Sequence, residues 1–187
     1  MPAPNTTAPN PAAFAFLSAR QSQPSKLFSG PVPSRDALEP ILTAALRVPD
    51  HGKLEPWRLI VLTRPDMIRL ADLAEARARE LGGDAEKIDK GRGQFDRGGL
   101  AVVVISAPQE VAKVPVTEQV LSAGALCLGL VNAATAAGWG ANWLTGWVAH
   151  DAAFCARAFG CEGAETVAGI VHIGTPGPAA PERPRPD

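Results

Sequence analysis

Arg47 and His51 stand four residues apart within Arg47-Val-Pro-Asp-His51-Gly-Lys-Leu-Glu-Pro-Trp57. A guanidinium and an imidazole hold anions through donated, charge-assisted hydrogen bonds. Pro49 and Pro56-Trp57 restrict the backbone at both ends, so the two side chains are presented from a stiff frame. That chemistry is capture of an anionic ligand. Each residue also has a plainer account: a cation is favoured at any helix C-terminus, and an isolated loop histidine is commonly just solvated.

A second candidate region is Gly138-Trp-Gly140-Ala-Asn-Trp143-Leu144-Thr145-Gly146-Trp147. Its glycines let backbone approach a flat ligand and its indoles could wall one, although packing of the Trp rings alone explains them equally well. It is not a dinucleotide fingerprint, which needs a strand before, a helix after and a third glycine where this chain has Trp143. Gly91-x-Gly93 has charged flanks and fails too. The chain has no phosphate-binding G-x-x-x-x-G-K-[ST] and no G-x-S-x-G of the serine hydrolases.

The elements that must carry these residues follow from periodicity. Leu38, Ile41, Leu42, Ala45 and Leu46 form one helical stripe stopped before Pro49, which places Arg47 in the last turn and His51 just beyond it. A strand follows over 59–62. A short helix is expected over 14–20. Another, started by Pro65 and stopped by Gly82-Gly83, carries Met67, Leu70, Ala71, Ala74, Ala78 and Leu81. The charged stretch 84–97 reads as surface helix and loop, and 100–106 as a buried strand. The later elements are a helix over 120–137, a strand over 142–148, a helix over 152–159 closed by Gly160 and a strand over 167–174.

From Gln119 to His150 there is no Asp, Glu, Lys or Arg. Asn132, Thr135 and Asn142 interrupt the apolar run and no basic cluster flanks it, so a helix buried almost all round is favoured over a membrane span. Ala125, Gly129, Ala133 and Ala137 fall four apart, a small-residue stripe on which another backbone can lie. A second copy of the chain is the expected occupant, giving a homodimer; the alternative is a monomer whose own helices cover that stripe.

A chain of 187 residues, 46% hydrophobic, fits one domain. A net charge of -1 gives no reason to expect nucleic acid or an acidic membrane as partner. Cys127, Cys155 and Cys161 are odd in number and lack C-x-x-C spacing, and His51, His150 and His172 are far apart, so no disulfide framework or metal site is expected. Reduced thiols in the cytoplasm are the simplest account. Residues 1–13 and 177–187 read as a flexible N-terminal tail and a Pro-rich C-terminal tail around a domain over 14–176.

Taken together, Arg20-Gln21-Ser22, the Leu46-to-Trp57 segment, Lys113-Val-Pro115, Ser122-Ala-Gly124, Trp143-Leu144-Thr145-Gly146 and Gly174-Thr-Pro176 resemble the nitroreductase family of flavoproteins, its small YdjA-like branch in particular. The resemblance implies an α+β three-layer sandwich, with helices around a central, mostly antiparallel sheet. It also implies an intertwined homodimer with FMN at the interface, NAD(P)H as electron donor and a small organic acceptor. By the same resemblance Arg20, Gln21 and Ser22 hold the phosphate and ribityl end of the flavin. Arg47 and His51 reach the flavin from the other subunit, and Trp143, Leu144 and Thr145 line it. Ala133, Ala134, Thr135, Ala136, Ala137 and Gly138 align with a stretch associated with the nicotinamide nucleotide. No side chain is expected to act as a catalytic acid or nucleophile. Gln21 stands where many relatives have a second arginine, a loss that Arg183 or Arg185 could offset, and relatives often continue into a longer C-terminal arm. Two rivals stay open: a flavin-binding protein without turnover, and a dimeric scaffold that has lost the cofactor.

Overall fold

The computed structural model describes residues 8–111 and 113–178. Arg183 and Arg185 lie outside the described residues, as do residues 1–7 and 179–187 of the two expected tails. The core is a four-stranded antiparallel sheet in the order β1-β2-β4-β3. Its strands are β1 (Trp57–Leu62), β2 (Ala101–Ser106), β3 (Gly140–Leu144) and β4 (Thr166–Gly174). Because side chains alternate along a strand, Ala101, Val103, Ile105 and Ile170 point to one layer and Val102, Val104, Val171 and Ile173 to the other.

The first layer is α3 (Arg64–Glu80), α4 (Ala85–Gly93) and α6 (Ala152–Phe159). Helix α3 buries Met67, Leu70, Ala71, Ala74 and Ala78 of the stripe its spacing predicts, whereas Leu81 is the C-cap and is exposed. It starts at a capping box in which Asp66 accepts from the Thr63 backbone and hydroxyl. The second layer is α2 (Arg35–Ala45) and α5 (Val116–Ala136), packed on each other and on the sheet. The fold is therefore an α+β three-layer sandwich.

Four expectations need correction. Helix α1 (Pro11–Ala19) begins earlier than 14, because Asn10 caps it and Pro11 suits its first turn, so Pro11 to Ala13 are helix rather than tail. Helix α2 ends at Ala45, which leaves Arg47 just outside its last turn. The strand expected over 142–148 is displaced. It pairs with β4 from Gly140 and stops at Leu144, since Gly146 turns the chain at φ 61 and Trp147–His150 coils into a 3₁₀ turn. There the Trp147 indole donates to the Lys87 carbonyl at 3.1 Å, in space that a side chain at Gly91 would fill.

Helix α5, finally, is not buried all round. It is long and apolar enough to cross a membrane by length and composition, yet Ala123, Leu126, Cys127, Leu130, Val131 and Ala134 are core residues. Its remaining face leaves Leu121 67% exposed and Leu128 and Val120 exposed beside it. Within the small-residue stripe Gly129 meets the chain's own α2, where a Cβ would lie 2.8 Å from the Ala45 carbonyl oxygen, and Ala133 packs on the core, whereas Ala137 is exposed. The side of α5 at Gly129 and its open apolar stripe are thus different faces of one helix.

Candidate functional site

The segment that follows α1 runs along the outer edge of β3, where the Gln23 N–H donates to the Ala141 carbonyl at 3.2 Å. Arg20, Gln21 and Ser22 immediately precede this contact, so they approach the strand that carries Trp143 and Leu144 from its Ala141 position. Arg20 sits at the C-cap of α1, and its Nη1 reaches the Ser22 hydroxyl at 3.5 Å. A guanidinium and a hydroxyl converging on one point can share an oxyanion. Trp143 lies on the α5 side, its indole donating to the Ala168 carbonyl at 3.1 Å above Gly169, where any side chain would collide with it. Leu144 points the other way, and Thr145 enters the turn at Gly146. Of the indoles read as possible walls, Trp147 and Trp139 pack against the cores and Trp143 is the exposed one.

Arg47 and His51 belong to the other side of the molecule. Their loop feeds β1, the edge strand opposite β3, three inter-strand steps away or roughly 14 Å at ~4.8 Å each. Arg47 is exposed beside an open cavity of ≈ 490 Å³ bounded by Leu46, Val48, Asp50, Lys53, Glu55 and Trp57. It makes no ion pair among the described residues. His51 Nδ1 is 2.7 Å from Glu118 Oε2 in the first turn of α5. Sequence reasoning credited the prolines with the stiffness of this loop, but Asp50 is the central clamp. Its two oxygens accept from the Leu54 and Glu55 N–H groups at 3.1 and 2.8 Å. They hold Lys53 and Glu55 at φ 53 and 47, conformations that non-glycine residues rarely adopt. The Ser122 hydroxyl ties Pro49 to α5 as well.

The stretch 133–138 ends α5. Ala134 is buried, Ala133 packs against the core, and the Thr135 hydroxyl donates to the Val131 carbonyl at 2.7 Å. Only Ala136, Ala137 and Gly138 are exposed. They precede β3, whereas Thr145 follows it, so the strand's length of about 17 Å at ~3.3 Å per residue separates the two segments.

Residues on and just after α4, not singled out by spacing, join the β3 edge. Ser25, Lys26, Lys90, Gln94, Arg97, Asn142 and Leu144 bound a cavity of ≈ 250 Å³ on the α4 face. Gln94 presses against Gly146 and its buried Oε1 has no hydrogen-bond partner among the described residues; Gln23 Oε1 is in the same state. His172, opposite Asn142 in the register, is pushed down to about 4 by burial, partly opposed by the Gln94 backbone, and is a neutral ring at neutral pH. Only the alternation of β3 could have pointed to Asn142; nothing local in the sequence marks Gln94.

Residues 17–175 match the model of the nitroreductase family. A Haemophilus influenzae protein assigned by name as an NAD(P)H nitroreductase is 38% identical over 165 residues, which cover 87% of this chain and 88% of that one. YdjA of Escherichia coli K12, assigned by name to the same activity, is 34% identical over 146 residues, 78% of this chain and 79% of its own. Among solved structures, a nitroreductase-like family protein from Bacillus cereus superposes with a TM-score of 0.71 at 22% identity, covering 96% of this chain and 94% of that one. A nitroreductase with bound FMN from Bacteroides fragilis gives 0.71 at 17% identity, covering 93% of each.

Proposed function

This chain belongs to the nitroreductase family, and on that premise we propose that it is an FMN-dependent oxidoreductase that uses NAD(P)H to reduce a small organic acceptor such as a nitroaromatic or a quinone. The observation that carries the reading is the approach of the Arg20 guanidinium to the Ser22 hydroxyl in a segment that runs along the outer edge of β3, the strand that also carries Trp143 and Leu144. The residues present fit the group. Arg20 and Ser22 supply the charged and neutral donors a phosphate needs, Gln21 adds a polar side chain without charge, and Gly146 lets the backbone pass close to a ring. The buried Gln94 Oε1 beside Gly146 is an acceptor in want of a donor. When bound, FMN supplies the hydride relay between nucleotide and acceptor.

The chain's own residues bind and orient. Arg20 holds the phosphate end, the β3 turn shapes the ring pocket, and no side chain is assigned as catalytic acid or nucleophile. Ala136, Ala137 and Gly138 are the part of 133–138 able to meet a nucleotide. Arg47 and His51 stand too far from this group to complete it within one chain, so we assign them to the site of a second copy in a homodimer. The open face of α5 and the exposed Phe14 and Leu17 of α1 supply the apolar surface for that association. The three thiols are free, which suits the cytoplasm.

The test is a visible absorption spectrum of the purified protein with FMN, followed anaerobically by NADPH and then NADH. A protein-bound flavin spectrum that bleaches supports the oxidoreductase and names its donor. Retention without bleaching sinks turnover, and failure to retain FMN sinks the cofactor as well.

A further inference from the structure

We propose that Cys155 and Cys161 are a reversible thiol–disulfide pair, a redox modification site on the α3-α4-α6 side of the sheet. Their C-x-x-x-x-x-C spacing marks no known motif, and the fold brings them together. Helix α6 stops at Phe159, and Gly160 reverses the chain in the left-handed region at φ 62. The turn returns Cys161 to the last turns of the helix, where its N–H donates to the Cys155 carbonyl at 3.4 Å. Each thiol lies near enough to bear on the other's ionisation. A disulfide needs Cα atoms about 4.4–6.8 Å apart and an S–S bond of about 2.05 Å. With the backbones one hydrogen bond apart, side-chain rotation supplies the remaining approach.

The pair is asymmetric in the way exchange requires. Cys155 is buried, with its thiol directed at the Val148 and Ala149 carbonyls at 3.4 and 3.5 Å. Cys161 is partly exposed and gives a reagent its way in. Burial raises both thiols, Cys155 to about 12, while the Arg58 guanidinium pulls Cys161 back towards its thiolate against Glu165. Cys161 is therefore the entering thiol, and the reaction speeds up with pH. Cys127 lies in the other core beneath Trp143 and serves as the internal control.

The oxidant is a low-molecular-weight disulfide, with oxidised glutathione as the probe. The Cys161 thiolate attacks one of its sulfurs, forming a mixed disulfide and releasing one glutathione thiolate. Cys155, deprotonated, then attacks Cys161 Sγ, and the second glutathione thiolate leaves as the protein disulfide forms. The protein loses two protons and two electrons, and the small disulfide becomes two thiols.

The experiment incubates the full-length FMN-loaded protein with oxidised glutathione at mildly alkaline pH, quenches with acid, alkylates under denaturing conditions and reads intact and peptide masses. Expected is a chain two hydrogens lighter, with one alkylated residue, Cys127, a cross-link between the Cys155 and Cys161 peptides, and reversal by dithiothreitol. Cys155→Ser should stop at a glutathione adduct on Cys161, and Cys161→Ser should leave Cys155 unoxidised. Three alkylated cysteines in the wild type, a stable adduct on its Cys161, or a cross-link through Cys127 would each overturn the pair. The wild-type masses decide the matter even if a serine variant folds poorly.

Discussion

On the α3-α4-α6 face Arg92 binds Asp72, Glu75 and Asp96, and Arg77 bridges Asp151 and Glu80, which also takes Arg157. On the opposite face α5 has no charged residue after Glu118 and leaves Leu121, Leu128 and Val120 in the open. Both faces bury a full apolar core against the same strands. The difference is in the outer surface: one is closed by ion pairs, whereas the other ends in side chains that gain by leaving water. A monomer has little use for such a face, and Arg47 and His51 lie at its margin, far from Arg20 and Ser22. In the proposed homodimer, association and completion of the cofactor site are one event on the open face, and the closed face should be indifferent to both.

The severest way to break that contrast is a charge on the open face. Leu121→Asp should weaken self-association by about 3–5 kcal/mol, as expected for an uncompensated buried charge, and FMN retention should fall with it while the monomer keeps its secondary structure. Sedimentation velocity with circular dichroism reads both. An unchanged oligomer would show that the face is only surface.

Separating the two half-sites sharpens the comparison next. Arg20→Ala and Arg47→Ala should each lower FMN affinity by about tenfold or more, the worth of a charge-assisted hydrogen bond, without unfolding the chain. Mixing the two variants should restore, by subunit exchange, one intact site in each mixed dimer and leave the other without either arginine, if each site takes one residue from each chain. Fluorescence titration of FMN against the single variants and the mixture is the measurement. Normal affinity in Arg47→Ala would remove the partner role.

A third substitution tests which stripe of α5 faces inward. Gly129→Val forces a Cβ against the Ala45 carbonyl and should cost roughly 1–3 kcal/mol of folding stability, with the oligomer unaltered; a change of oligomer without loss of stability would reverse the assignment of the two stripes. This is where the sequence was least legible. Periodicity finds a stripe but not its neighbour, so Ala125, Gly129, Ala133 and Ala137 pointed to a second chain although Gly129 meets α2. It served well where a residue's surroundings are local: the α3 stripe, Gly160 closing α6, and the all-buried β2 all stand as the spacing predicts. Contacts made across long stretches of chain left no local mark. Gln94 against Gly146 and the Trp147 anchor on Lys87 each depend on a turn whose direction composition does not encode. The role proposed for Arg20 and Ser22 rests on resemblance, because an arginine two residues from a serine is common in any chain.

The smallest effect belongs to the closed face. Asp151 accepts from Arg77 Nε at 2.9 Å and Nη2 at 3.0 Å, and from the Phe154 N–H at 2.7 Å as the N-cap of α6. The Arg77 hydrogen bonds, with help from Phe154, hold its carboxyl below its ordinary value against the cost of burial. A carboxylate depressed in the folded state contributes stability above its unfolded pKa of about 3.9, and that contribution is lost as pH falls through the folded value. Asp151→Asn keeps the cap and removes the charge, so the wild type should lead by a few degrees in Tm from neutral pH down to about 5 and lose that lead below about 4. Thermal melts across that range check the sign, and a gap that widened on acidification would be inconsistent with the pairing. Self-association and FMN retention should be the same in both proteins at neutral pH. Loss of either in Asp151→Asn would mean that the two faces are coupled through the sheet, since β4 follows α6 directly and forms part of the floor beneath Trp143.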